Sequence, residues 1–261
     1  MKKIKFITAF LLLFAVVFVS CDTEPLDNDL LENDGGGNGN GNGSGDDDGD
    51  DDGGEDDGSG GENGDAGTYW PMAVNNVWTY EMDGKTQDPM KITSTVKVEG
   101  ETYYRTDNFF SNAGNQGLTG QATFLLRQKS GDYSVRISVD IPEANGIPIK
   151  ISPYEIILLK DYLEVGKTWT QKLKQTTSYG NSGIPDVVSQ IDILGTIIEK
   201  NTTLQVNGKQ YKDIIKCSVK QTNLGMTFTT YYWFAKNIGP VKTQTEGDAT
   251  YTSGLLSYKL N

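Results

Sequence analysis

Few residues of this chain could carry out chemistry, because the sequence contains no histidine and only two cysteines. Without histidine, a Ser-His-Asp triad, a Cys-His nucleophile pair and an ordinary zinc site are all excluded. Cys217 alternates in phase with Ile215 and Val219, so we expect its thiol to be buried in a core. Carboxylate pairs of the kind used in glycoside hydrolysis remain available, but no spacing singles out a pair. We therefore expect no catalytic residue, no metal and no cofactor.

The other cysteine, Cys21, follows a segment with the layout of an export signal. Three lysines among the first five residues precede an apolar run at 6–19. This run is shorter than the about 20 residues of a membrane-spanning helix. The sequence VFVSC at 17–21 resembles the lipobox of bacterial lipoproteins, in which the signal is cut before a lipidated cysteine. We predict a signal peptide at 1–20 and a lipid on Cys21, which would anchor the chain to a membrane. The alternative is an ordinary cleaved signal with a coincidental cysteine.

The next segment, 21–67, is acidic and rich in Gly, Asp and Asn. Positions 22–65 hold 17 Asp or Glu and no Lys or Arg. Low hydrophobicity combined with like charge predicts disorder, so we interpret the segment as a flexible tether. Asp48, Asp50, Asp52 and Gly53 match the first half of a calcium-binding loop, but Ser59 stands where a glutamate is needed. We expect no specific calcium binding there.

The charge of the chain resides mainly in this tether. The whole chain is formally −12 at pH 7, whereas residues 68–261 hold 20 basic and 18 acidic side chains. With no basic stripe, nucleic acid is not an expected partner. Asp22 directly follows Cys21, and an acidic stretch at this place is similar to the surface-export signal of Bacteroidota lipoproteins. We predict an outer-membrane location facing the cell surface, with the periplasmic face as the alternative.

Residues 68–261 have the pattern of a single all-β domain. Alternation is clearest at 133–139 and 215–220, and Gly-containing turn signals separate the apolar segments. We predict an antiparallel curved sheet or half-barrel. The strongest exception is Tyr154–Leu163, whose spacing could form two helical turns.

A weak internal repeat suggests two similar halves. The sequence VNNVWT at 74–79 is similar to VGKTWT at 165–170, and the turn VEG at 98–100 is similar to VNG at 206–208. An Asn-Gly pair favours a tight hairpin, because it supplies positive φ angles. Recurrence of such turns by chance in a β protein is the alternative.

Two motifs resemble those of uncharacterised Bacteroidota surface lipoproteins. The sequence YWPMAVNNVWTY at 69–80 resembles their opening Y-x-P-L-x-x-G-N-x-W-x-Y, with Asn75 in place of the glycine. The sequence YYWFAKNIGPVK at 231–242 resembles their closing W-F/Y-A-x-x-x-G-x-V-K. The resemblance implies a curved antiparallel sheet and no particular activity.

Aromatic residues are the remaining candidates for a functional surface. Tyr231, Tyr232, Trp233 and Phe234 are consecutive, so two must point to each face of a strand. They could stack a glycan, line an apolar pocket or simply pack within the sheet. We expect a non-enzymatic, lipid-anchored envelope protein that presents its β domain for binding or interaction; the ligand is left open, with a glycan or an envelope protein as candidate partners. The alternatives are a carboxylate-based glycan hydrolase and a carrier of an apolar ligand.

Overall fold

The computed structural model describes residues 67–109, 121–144, 147–247 and 250–261. The predicted signal peptide, Cys21 and positions 22–66 of the predicted tether lie outside these residues. Within the described ranges, no helix is long and apolar enough to cross a membrane.

The described chain forms 13 strands in one antiparallel sheet, which confirms the predicted all-β class. The strands are β1 Val77–Met82, β2 Lys85–Thr86, β3 Met90–Val98, β4 Glu101–Thr106, β5 Gln121–Lys129, β6 Asp132–Ala144, β7 Ile147–Lys160, β8 Thr168–Ser178, β9 Val187–Val206, β10 Lys209–Asn223, β11 Met226–Ala235, β12 Gly239–Glu246 and β13 Tyr251–Lys259.

The sheet closes on itself, so its curvature goes beyond the expected half-barrel. Apart from β2 and β3, each strand pairs with its neighbours along the chain, and β13 pairs with β1. Both β2 and β3 pair with β1, on either side of Pro89, which has no N–H to donate to a ladder. Counting β2 and β3 as one interrupted strand gives a closed barrel of 12 strands.

Side chains alternate between the inside and the outside of the barrel along each strand, and the inward ones fill the interior. In β7, Tyr154, Ile156 and Leu158 are buried, whereas Glu155 and Ile157 between them are partly exposed. This period of two shows that the helical interpretation of Tyr154–Leu163 is wrong, because ladder pairing with β6 extends as far as Lys160.

Cys217 is buried as expected, and its Sγ donates a hydrogen bond to the Leu158 carbonyl at 3.2 Å. Burial raises the pKa of the Cys217 thiol well above its ordinary value. The thiol is therefore held in its neutral, unreactive form.

The turn before β1 belongs to the first segment of the predicted internal repeat. The Asn75 N–H donates to the Ile92 carbonyl at 2.8 Å, and the Ile92 N–H donates to the Asn76 carbonyl at 3.0 Å. Asn75 adopts a φ of 73°. Asparagine adopts this left-handed conformation more readily than most residues other than glycine.

The matching turn before β8 makes the same contacts. The Gly166 N–H donates to the Ile197 carbonyl at 2.8 Å, and the Ile197 N–H donates to the Lys167 carbonyl at 3.0 Å. Gly166 has a φ of 81°, close to that of Asn75. The two turns share these hydrogen bonds, and they precede the runs of strands β1–β7 and β8–β13, which would be the halves of the predicted repeat.

The two seams between these halves differ. The β13–β1 seam is paired at six positions, whereas the β7–β8 seam is paired only at Lys150↔Ser178 and Ile151↔Thr177. Along the rest of β7, side chains of β8 replace the ladder. Gln171 Oε1 accepts from the Ile157 N–H at 2.8 Å, and Gln171 Nε2 donates to the Glu155 carbonyl at 3.3 Å. One seam is thus joined by backbone and the other largely by side chains.

The segment before β1 closes one end of the barrel as a plug, residues 68–73. Trp70 is fully buried, with its ring centroid 5.8 Å from that of Phe234. The Asn237 N–H, in the turn between β11 and β12, donates to the Thr68 carbonyl at 2.7 Å. Tyr133 Oη accepts from the Tyr69 N–H at 2.9 Å. The plug is therefore held by both packing and hydrogen bonds.

Candidate functional site

The four consecutive aromatic residues of β11 divide between the two faces of the barrel wall. Tyr232 and Phe234 point into the core, where their rings stack at a centroid distance of 5.9 Å. Tyr231 and Trp233 alternate to the outer face, and Tyr231 remains partly exposed. Burial raises the pKa of the inward Tyr232 hydroxyl well above its ordinary value. Of the four rings, Tyr231 alone is partly exposed, whereas Tyr232, Trp233 and Phe234 are buried.

Trp233 lies at the centre of a row that crosses three strands, which we call the Lys–Trp–Lys row: Lys216, Trp233 and Lys242. The strand register sets Lys216 of β10 and Lys242 of β12 directly opposite Trp233. Their Nζ atoms lie 5.2 and 4.8 Å from the centroid of the Trp233 ring, within the range of a cation–π contact. The indole is only 8% exposed.

The charges around the row are unevenly compensated. Glu199 lies opposite Lys216 in the register, and its Oε1 is 3.3 Å from Lys216 Nζ. Within the described ranges, no ion pair involves Lys242. Tyr231 extends the aromatic surface, since its ring centroid is 6.3 Å from that of Trp233. The two lysine side chains therefore cover the Trp233 indole, and the partly exposed ring of this group is that of Tyr231.

A second polar cluster on the outer face was not predicted from the sequence. The Glu155 carboxylate accepts from Tyr103 Oη at 2.6 Å, from Ser134 Oγ at 2.5 Å and from Arg127 Nη2 at 2.6 Å. These donors come from β4, β6 and β5, and sheet register alone brings them to Glu155. Their positions in the sequence give no spacing signal that could have revealed the cluster.

The contacts of this cluster point to a structural role for Glu155. Burial and the hydrogen bond to Glu155 raise the pKa of Tyr103 to about 12. Arg127 also lies over the Tyr103 ring, with Cζ 5.2 Å from its centroid. A carboxylate that already accepts from three side chains has little capacity left to contact a substrate.

A surface pocket of about 240 Å³ lies beside this cluster. Its lining residues are Arg127, Lys129, Ser130, Asp132, Ser134, Ile157 and Tyr162. Asp132 is the one carboxylate in this lining, and its Oδ2 binds Lys160 Nζ at 2.7 Å. The pocket thus lacks the two converging carboxylates that a glycoside hydrolase needs. Among the described residues, no group of three or more Cys, Asp or Glu is arranged to hold a metal ion.

The barrel interior is densely occupied by large side chains. Those with under 2% exposure include Trp70, Trp78, Tyr80, Tyr133 and Phe234. The Trp78 indole N–H donates to the Ile238 carbonyl at 2.7 Å, and Tyr80 Oη donates to the Pro240 carbonyl at 2.8 Å. These contacts tie the aromatic side chains to the barrel wall.

Comparisons with known proteins return structural neighbours only. No protein-family model and no curated protein matches the chain. A crystal structure of a Bacteroides fragilis protein, described as exported and as having a YmcC-like fold, is 13% identical. The match covers 74% of this chain and 100% of that one, with a TM-score of 0.46. A crystal structure of a Parabacteroides distasonis protein, described as a lipoprotein, is 12% identical and matches 75% of this chain and 100% of that one, with a TM-score of 0.42.

Proposed function

We propose that this chain is a lipid-anchored protein of the outer membrane that binds a ligand through the outer face of its barrel. The observation that carries the binding role is the partly exposed Tyr231 ring on that face, next to the nearly buried Trp233 and to Lys242, which takes part in no ion pair within the described ranges. The wet face of an antiparallel sheet is usually polar, so an outward tryptophan beside a tyrosine is a deviation that needs a reason. Recognition of an external ligand is such a reason, since amphipathic aromatic rings are the usual anchors of binding surfaces.

The anchor follows from Cys21 and the acidic segment after it. A diacylated glycerol on the sulfur would hold the chain in a membrane, because two acyl chains anchor stably whereas one does not. As the flexible chain proposed here, the predicted tether 21–67 would have a reach of roughly 35–40 Å, which like-charge repulsion would extend. The tether would then hold the barrel away from the lipid surface and expose the outer face of β10–β12 to ligands on the cell exterior.

The two alternative functions have weaker support. A carrier of an apolar ligand needs internal space, and the core between the described strands is filled by aromatic and aliphatic side chains. A glycan hydrolase needs an acid and a base, whereas the Glu155 carboxylate is saturated by three donors.

Palmitate labelling of cells tests the anchor. Wild-type protein should incorporate labelled palmitate, and the Cys21→Ser variant should not. Mass analysis should find the mature amino terminus at a lipidated Cys21. Protease added to intact cells should remove the barrel if it faces the exterior. An unlipidated terminus at another residue would overturn the anchor, and protection from protease in intact but not lysed cells would place the barrel on the periplasmic face.

A further inference from the structure

We propose that the surface pocket beside Glu155 binds one neutral monosaccharide unit, such as the end residue of a glycan, against the exposed ring of Tyr162. The pocket is formed by β5, β6, β7 and the loop after β7, apart from Tyr231 of β11. It is therefore a second site, beyond the binding role proposed above. Its free space, the position of the Tyr162 ring and the balance of its charges each support this ligand.

The pocket has room for a small ligand. Its volume of about 240 Å³ corresponds to about eight water molecules at roughly 30 Å³ each. Pockets for drug-sized ligands are larger, at about 300–1,000 Å³, so this one suits a single sugar ring rather than an oligosaccharide. The rest of a glycan would extend into solvent past Tyr162, which is 53% exposed.

Tyr162 presents an open aromatic ring to this space. Its ring rests on the turn between β5 and β6, because a Cβ built on Gly131 would lie 2.8 Å from Tyr162 Cδ1. Lys160 Nζ lies 3.0 Å from Tyr162 Oη but 5.5 Å from the ring centroid. The ammonium group is therefore at the hydroxyl end of the ring and does not cover its centre. The C–H face of a sugar can pack on such a ring, and Ile157 adds further apolar surface.

The charges that line the pocket are already balanced, which favours a neutral ligand. Each charged side chain of the lining forms an ion pair: Arg127–Glu155 at 2.6 Å, Lys129–Glu101 at 2.5 Å and Asp132–Lys160 at 2.7 Å. A charged ligand would have to separate one of these pairs or add a charge without a partner. A sugar hydroxyl can donate and accept hydrogen bonds beside the pairs and leave them intact.

The polar groups of the lining still have hydrogen-bonding capacity. Arg127 donates from Nη2 to Glu155, while its Nε has no partner within the described residues. Asp132 accepts from Lys160 at Oδ2, while its Oδ1 has none there either. Both of these atoms are buried, so they reach a ligand only when the side chain rotates. A guanidinium and a carboxylate at one pocket can together bond several hydroxyls of a sugar, the first as donor and the second as acceptor.

Nuclear magnetic resonance of the full mature lipoprotein, in a detergent without a sugar headgroup, tests the proposal. The neutral probes are glucose, galactose, mannose and N-acetylglucosamine, and the charged ones are glucuronate and galacturonate. We expect at least one neutral sugar to bind in the millimolar range, and both charged sugars to bind more weakly than that sugar. Binding should shift the backbone amide signals of Ser130, Gly131 and Tyr162 and leave that of Tyr231 unchanged.

Variants of Tyr162 test the role of the ring. Tyr162→Ala should weaken binding about tenfold or more, because the surface for the sugar is lost. Tyr162→Phe keeps the ring but loses the hydrogen bond to Lys160, and it should keep most of the affinity. Tyr258→Ala is the matched control, since Tyr258 is also an exposed tyrosine but lies on β13, outside the pocket. It should leave binding unchanged.

The amide spectrum of each variant shows whether the barrel is folded, so lost binding is distinguished from lost structure. The inference is overturned if none of the neutral sugars binds, or if a charged sugar binds more tightly than all of them. It is also overturned if the shifts lie only outside the pocket, or if Tyr162→Ala binds as well as wild type. The proposed anchor would survive each of these results, since palmitate labelling at Cys21 tests it separately.

Discussion

Asn76 Oδ1 accepts a hydrogen bond from the backbone N–H of Asn261 at 2.8 Å, joining two residues 185 positions apart. The amide of the same side chain donates from Nδ2 to the Pro71 carbonyl at 2.8 Å. Asn76 is completely buried. One side chain therefore links the plug to the segment after β13, beside the place where the barrel closes.

Replacing Asn76 should destabilise the barrel. Asn76→Ala leaves the Pro71 carbonyl and the Asn261 N–H without this partner, which costs about 1–3 kcal/mol for a buried polar group. Urea denaturation of the purified protein should show a lower midpoint with an unchanged slope. The exposed Asn181→Ala is the control, and equal midpoints for the two variants would contradict the role of Asn76.

Position 75 should accept glycine and position 166 should accept asparagine, but position 166 should not accept a β-branched residue. Both have positive φ angles, which glycine and asparagine adopt readily and valine does not. No atom lies within 4 Å of a Cβ built on Gly166, so a substitution there measures backbone conformation alone. We expect Asn75→Gly and Gly166→Asn to be nearly neutral, and Gly166→Val to cost about 1–3 kcal/mol. Similar thermal stability for Gly166→Asn and Gly166→Val would refute this.

Gln171 should hold the weaker seam together. Gln171→Leu removes the acceptor of the Ile157 N–H and the donor to the Glu155 carbonyl. Hydrogen exchange at the Ile157 amide should then become faster, because this part of β7 has no ladder partner on β8. Lys172→Ala, an exposed neighbour on β8, is the control. Unchanged exchange at Ile157 in the Gln171→Leu protein would show that the seam does not depend on this side chain.

Stability should fall at alkaline pH through buried tyrosines. Burial, followed by the hydrogen bond to Glu155, raises the pKa of Tyr103 to about 12, and burial raises that of Tyr133 to about 12. A tyrosine with a raised pKa stabilises the fold fully below its unfolded pKa of about 10. This contribution is lost as the pH rises from about 10 through the folded pKa of about 12.

The Tyr103→Phe variant tests this dependence. It should start from a lower stability, because a hydrogen bond to Glu155 is lost, but its stability should fall less steeply between pH 10 and 12. The exposed Tyr258→Phe should follow the wild-type slope. Parallel curves for wild type and Tyr103→Phe would contradict the assigned cause.

The sequence was sufficient to predict the class of fold, because alternation is a local property. It identified the buried face that carries Cys217 and the turn that Asn75 shares with Gly166. Contacts between distant residues gave no such signal. The pairing of β13 with β1 and the donors around Glu155 depend on how the 12 strands close into a barrel. These contacts join residues that are far apart in the sequence, so no local pattern of residues reveals them.

The four aromatic residues of β11 were predicted only in part from the sequence. Its alternation correctly divided the four rings between two faces, but it could not tell which pair would point outward. That depended on the register with β10 and β12, which also sets Lys216 and Lys242 beside Trp233. Neither lysine stood out in the sequence, because lysine on the wet face of a strand is common.

The plug also determines how the molecule would respond to mechanical load. A pull exerted on the chain before Gly67 would reach the contacts of Thr68 and Tyr69 first, and then the buried indole of Trp70. A direct pull along β1 would begin only after that indole had been extracted. The contacts of the plug would therefore break before β1 is pulled from the sheet, and the strands of the outer face would stay paired meanwhile.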